Sequence, residues 1–224
     1  MTAYTLIRSK RKTVALYVRN GGVEVRAPLK MPKREIDKFV ASKEKWITDK
    51  LIKSKTQTNR RESFSLDYGS PVTYRGRHYY IEETCGNRAG FDGERFYMPP
   101  NLMPEKIKAA CVRVYRLLAK QYLTERTLAF AQKMSVSPAD IKITAARTRW
   151  GSCSTKKNIN FSWRLAMADD EVIDYVVVHE LAHLKEMNHS KKFWAIVESM
   201  IPDYKKCKKQ LKELQHRLSG ENWS

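Results

Sequence analysis

Histidine is scarce in this chain, with five residues in 224. Cysteine is scarcer: Cys85, Cys111, Cys153 and Cys207 stand far apart and form no CxxC pair. That spacing excludes a disulfide framework and suits reduced thiols of a cytosolic protein. No run of about eighteen apolar residues exists, which excludes a membrane-spanning helix. Met1-Thr2-Ala3-Tyr4 opens without the apolar block of a signal peptide, so the expected location is cytoplasmic. No glycine-rich phosphate loop, internal repeat or low-complexity tract is present.

Acidic residues are also in short supply, 24 against 43 lysines and arginines, a formal net charge of +19. Basic residues gather at Arg8 to Lys12, Lys43 to Arg61 and Lys205 to Lys212. Such a surface attracts polyanions without sequence preference. Nucleic acid, or an acidic or phosphorylated substrate, is therefore an expected class of partner. The basic-aromatic fingerprint of a known nucleic-acid module is missing. A hydrophobic content of 42% supports a real core, and the length suits one large domain or two small ones.

What is present is concentrated. Three of the five histidines fall in one window: His179-Glu180-Leu181-Ala182-His183, then His189. In a helix, residues i and i+4 share a face. Two imidazoles so placed can reach one zinc ion at about 2.0–2.1 Å. Glu180, next to the first ligand, is where a general base for a metal-bound water belongs. Asp169 or Asp170 can cap the helix, and apolar positions 172, 173, 176, 177, 181 and 184 follow helical spacing. The pattern predicts one buried face, with 175, 179, 183 and 187 presented together. The run Val176-Val177-Val178 has strand propensity, but a strand would turn Glu180 away from the histidines.

Asn188 tolerates the left-handed conformation that ends helices, and Ser190 can cap a following helix carrying Phe193, Trp194, Val197 and Ile201. His189 then lies in a tight corner where the chain can fold back to the metal. Three protein ligands leave a tetrahedral zinc one open position, the mark of a catalytic site. His78 and His216 lack such company and read as surface residues. For the oxyanion, Tyr175, Arg149 and Arg164 are candidates.

Along the chain, Thr13 to Val18 and Val23 to Arg26 flank Asn20-Gly21 and predict a hairpin. Pro32 opens a helix with Ile36, Phe39, Val40, Trp46 and Ile47 on its apolar side, running to about Lys53. Ser54 to Arg61 reads as a linker. Short strands follow at 72–74, 78–82 and 95–98, and Pro104 starts a long helix to about Met134. Ile141 to Ile143 begins a strand region. Asn158 to Leu165 alternates and pairs with the strand before Thr155-Lys156-Lys157, and an extended peptide could add to such a sheet edge.

Arg149-Trp150-Gly151-Ser152-Cys153, Asn160-Phe161, Trp163-Arg164-Leu165, the His179–Leu184 run, Asn188-His189-Ser190 and Phe193-Trp194 together resemble the YgjP-like family of metallopeptidases. That family is related to the SprT-like and WLM groups of zincins. Ser9-Lys10-Arg11-Lys12, Val25-Arg26-Ala27-Pro28 and Trp46-Ile47 are similar to it too, so the likeness spans most of the chain. It implies zinc at His179, His183 and His189, with Glu180 catalytic. The expected class is α+β: a smaller β-rich region with one helix over residues 1–100, then a zincin-like metallopeptidase domain over 101–224. The leading reading is a zinc peptidase acting on peptide or protein. The alternatives are a metal-dependent nucleotide phosphoanhydride hydrolase and a nucleic-acid-associated protease.

Overall fold

The computed structural model describes residues 2–19 and 21–223. The chain groups into two compact units, Met1–Phe64 with Ser219–Asn222, and Ser65–Leu218 with Trp223–Ser224. The class is α+β, with six α-helices and three small sheets among the described residues. No described helix is long and apolar enough to cross a membrane.

In the first unit, Thr5–Ser9 (β1), Ala15–Arg19 (β2) and Gly22–Pro28 (β3) form a sheet of order β1-β3-β2. The expected hairpin is β2–β3. Of its turn, Asn20 lies outside the described residues, and Gly21 has a φ of +74°, which glycine adopts without steric cost. β1 pairs in parallel with β3, a non-local pairing with no turn signal to announce it. Val23, Val25 and Ala27 alternate inward against Ile36, Val40 and Ile47. The single helix expected after Pro32 is two, Lys33–Ser42 (α1) and Glu44–Ser63 (α2), broken at Lys43. The expected linker at 54–61 is the second half of α2. Its Lys, Gln and Arg residues are good helix formers, and no Gly or Pro interrupts them.

The second unit begins with Pro71–Tyr74 (β4), Arg77–Glu83 (β5), Gly90–Phe91 (β6) and Phe96–Met98 (β7), ordered β4-β5-β7-β6. The expected boundary at residue 100 groups these strands with the N-terminal region; the compact units divide at residue 64. The reason is packing against the long helix Pro104–Lys133 (α3). Tyr115 of α3 donates a 2.6 Å hydrogen bond to the Thr73 carbonyl, and its ring lies 5.1 Å from that of Phe96.

A second sheet comprises Asp140–Thr144 (β8), Gly151–Cys153 (β9) and Asn158–Ser162 (β10). Its order is β8-β10-β9, with β9 antiparallel to β10 as expected and β8 parallel to it. The alternation read to Leu165 stops at Ser162, where Trp163–Met167 coils into a buried 3₁₀ turn. Helices Asp170–Ala182 (α4), Lys191–Met200 (α5) and Tyr204–Ser219 (α6) complete the chain.

Candidate metal centre

The site is carried by α4, which is buried on nearly every side rather than on one face. Val172, Ile173 and every residue from Tyr175 to Val178 are buried, as are Glu180 to Ala182. A helix apolar all round belongs inside a fold, and the Val176–Val178 run is helical because it is enclosed there.

Its N-terminal end is tied down from two directions. Arg75 and Gly76 form a two-residue turn between β4 and β5, both with positive φ (49° and 73°), as a tight hairpin with native twist requires. Gly76 sits so close to Asp169 that a Cβ there would lie 1.8 Å from Oδ1. The Arg75 guanidinium makes two 2.7 Å hydrogen bonds to the Asp170 carboxylate, which also accepts one from Tyr122 at 2.9 Å. One turn on, Arg126 of α3 makes the same fork to Asp174 at 2.7 and 2.6 Å. Arg75 holds the Asp170 carboxyl below the usual carboxylate range. Asp169 takes the N-cap position, but its side chain caps no backbone N–H.

At the other end stand the three histidines. α4 stops at Ala182, and residues 183–185 continue as turns, shorter than the helical pattern to Met187 suggested. His183 keeps a helical backbone at the cap, and its ring Nδ1 lies 3.3 Å from the Glu186 carbonyl. A carbonyl only accepts, so Nδ1 carries the proton and Nε2 is left with its lone pair. Such a backbone hydrogen bond is how metal-ligating imidazoles are oriented. Asn188 is not left-handed, and its carbonyl instead accepts from the Ser190 N–H at 2.7 Å. Ser190 caps α5 as expected, accepting from the Phe193 N–H at 3.3 Å. This corner returns His189 to α4.

His179, His183 and His189 offer ring nitrogens within 4.8 Å of one another. His179 Nε2 and His189 Nε2 are 3.1 Å apart. Two ligands at zinc–nitrogen distance on a tetrahedral ion stand about 3.3 Å apart, so this spacing fits a shared cation. Burial, aided by the two neighbouring rings, pushes His179 down to about 3. Burial also lowers His183. Neutral imidazoles are the form that binds metal. His78 and His216 are not part of this cluster.

Beneath the rings lies Phe193, fully buried, with its centroid 4.6–4.9 Å from all three imidazoles. Trp194 stacks on His189 at 5.8 Å and Tyr204 stacks on Trp194 at 5.2 Å, with Lys208 Nζ 4.7 Å over the Trp194 ring. Glu180 is buried on the side facing β9. A Cβ on Gly151 would lie 2.5 Å from its Oε1 and 2.7 Å from its Cγ, so only glycine leaves room for this carboxyl. Burial pushes Glu180 up to about 8, and the charge of Arg149 opposes that shift. This contact joins Gly151 to a residue 29 positions away and has no local sequence signal.

Of the oxyanion candidates, Arg164 is not at the site. It is buried, its guanidinium lies 4.4 Å over the Trp163 ring, and it donates to the Ala145 carbonyl at 3.1 Å. Tyr175 is buried with its ring 5.9 Å from that of His179. Arg149 is exposed and its charge reaches Glu180.

A model of the YgjP-like metallopeptidase domain matches residues 12–214. The chain belongs to the YgjP-like metallopeptidase family. It is thus a peptidase, a hydrolase with a metal cofactor and a peptide or protein substrate. Among solved structures it is similar to the metallopeptidase zymogen of Pyrococcus abyssi abylysin, with 23% identity and a TM-score of 0.35. That match covers 43% of this chain and 90% of that one. The metallopeptidase zymogen of Methanocaldococcus jannaschii jannalysin gives 20% identity and a TM-score of 0.34, covering 43% and 92%. A search of curated proteins finds no match.

Proposed function

We propose that this metallopeptidase holds zinc through His179, His183 and His189, uses Glu180 as general base, and cleaves extended protein segments laid along β9. One juxtaposition carries the reading. Three imidazoles converge within 4.8 Å, and the carboxyl next to the first is buried against the strand that borders them. This is a zincin-like arrangement of helix and edge strand.

Zinc supplies Lewis acidity, polarising the scissile carbonyl and lowering the pKa of an attacking water toward about 7. The remaining chemistry is the protein's own. Glu180 accepts the water proton and passes it to the leaving amine. It must be ionised to do so, and the positive charge of Arg149 favours that form against burial. Arg149, whose charge reaches Glu180, and Tyr175, whose ring lies 5.9 Å from that of His179, are the groups we assign to the negative charge that develops on the carbonyl oxygen.

β9 is the outer strand of its sheet, with no strand partner on its far side among the described residues. A substrate in extended form pairs with that edge through main-chain hydrogen bonds, so its sequence is read only weakly. Its carbonyl then passes close to Glu180, because Gly151 of β9 is in contact with that side chain.

The test is metal content and hydrolysis of unfolded protein by wild type, His189→Ala and Glu180→Gln, with phosphate release from nucleotides measured alongside. One zinc in wild type, depleted in His189→Ala and retained by an inactive Glu180→Gln, is the expected result. A wild type without metal, or Glu180→Gln at full rate, overturns it.

A further inference from the structure

The sheet that offers β9 to the site has a second outer strand, β8, on the opposite side of β10. Between β8 and α3 runs an open groove of about 740 Å³, lined by Arg113, Arg116, Leu117 and Lys120 of α3 and by every residue from Asp140 to Thr144. That volume is within the range of about 300–1,000 Å³ typical of ligand sites. Successive strand residues point to opposite faces, so a groove touching all five follows the edge of the strand rather than one face.

The lining is uneven in charge. Lys142 is paired with Asp140 at 3.1 Å, the one carboxylate in the groove. Arg113, Arg116 and Lys120 are exposed and make no ion pair among the described residues. Among these cations sits Leu117, 69% exposed, opposite the half-buried Ile141 and Ile143. Leu117, Ile141 and Ile143 thus give the groove an apolar strip beside three unpaired cations, a lining complementary to an apolar segment that carries acidic residues.

We infer that this groove docks an acidic, extended segment of a partner protein, which adds to the outer edge of β8 as a further strand. The strand edge supplies backbone hydrogen bonds at a repeat of about 3.3 Å per residue. Alternate side chains of an added strand recur every 6–7 Å or so, close to the spacing of about 5–6 Å between successive cations on one helix face. Acidic residues at alternate positions therefore meet Arg113, Arg116 and Lys120, and an apolar residue covers Leu117. A polynucleotide fits less well, because no aromatic ring lines the groove for bases to stack on. The surface is independent of the metal and of the zinc chemistry.

The measurement is fluorescence anisotropy of the full chain with a labelled peptide of alternating glutamate and leucine. Three comparison ligands and two variants decide it; the ligands are the same peptide N-methylated at alternate amides, a basic peptide of equal hydrophobicity, and a single-stranded oligonucleotide. Arg116→Glu and Leu117→Ser, both at exposed positions, should each weaken binding about tenfold, as should N-methylation. Metal content and hydrolysis should be unchanged in both variants. The inference is overturned if the acidic peptide binds no better than the basic one, or if either variant binds it like wild type. Equal binding of the methylated peptide removes the strand pairing. An oligonucleotide that binds in its place, and is lost in Arg116→Glu, assigns the groove to nucleic acid instead.

Discussion

At the N-terminal end of α4, Asp170 and Asp174 each face a guanidinium in a two-bond fork. At its C-terminal end, Glu180 makes no hydrogen bond or ion pair among the described residues, and the buried His179 Nδ1 has no partner. The same helix thus carries paired carboxylates at one end and, at the other, an unpaired carboxyl beside an unsatisfied imidazole nitrogen. A buried carboxyl without a partner destabilises a fold. It persists here because the opposite end, seated in the β4–β5 turn and on α3, fixes where the helix lies. The contrast separates residues that hold the helix from residues to which we assign the chemistry.

Substitutions at the unsatisfied end should cost activity and little stability. Glu180→Gln removes the proposed proton acceptor and keeps the shape. Turnover should fall by about 10²–10⁴-fold with metal retained, and the melting temperature should stay level or rise. Loss of both metal and stability would place Glu180 in the scaffold instead. Gly151→Ala tests the same end from the strand side. Its new Cβ would sit within 3 Å of three Glu180 atoms, so the carboxyl must move. A loss of about 10- to 100-fold in turnover, with metal content intact, is the expected result. An alanine variant of full activity would show that the glycine is incidental.

The satisfied end should show the reverse. Arg126 and Asp174 expose 29% and 18% of their side chains, against 39% and 46% for Arg75 and Asp170. Exposed pairs are screened by water and partly buried ones less so. A double-mutant cycle in chemical denaturation should give a coupling of about 1–2 kcal/mol for Arg126–Asp174. For Arg75–Asp170 it should give about 0.5 kcal/mol. Equal couplings would mean that burial does not set the difference. Metal content should change little in any of these variants.

The end that carries the histidine cluster was readable in the sequence and the holding end was not. His179, Glu180, His183 and His189 lie within eleven positions, and a helix followed by a Ser-capped corner converts that spacing into geometry. Ser190, the β9–β10 hairpin and α3 were legible for the same local reason. The Arg75–Asp170 fork joins residues 95 positions apart, and Arg126–Asp174 joins residues 48 apart. Nothing local marks one arginine among so many basic residues as the partner of a given aspartate. The extent of α2 was misread for a different reason. A helix that buries only Ile47 lacks the apolar stripe by which helices are recognised, and its solvated half looks like a linker.

The smallest expected effect concerns acid. Arg75 depresses the Asp170 carboxyl, so the folded chain holds that proton less readily than the unfolded chain. The stability this fork contributes is therefore present above the unfolded value of about 3.9 and is lost as pH falls through the lower folded value. Wild type and Arg75→Ala should differ by a constant amount from pH 7 down to about 5, then converge below about 4. Urea melts across that range measure the gap directly. A gap that stays constant at pH 3 would show that Arg75 acts through the turn it forms with Gly76, or through its stacking 4.1 Å over the Tyr122 ring, and not through its charge on Asp170.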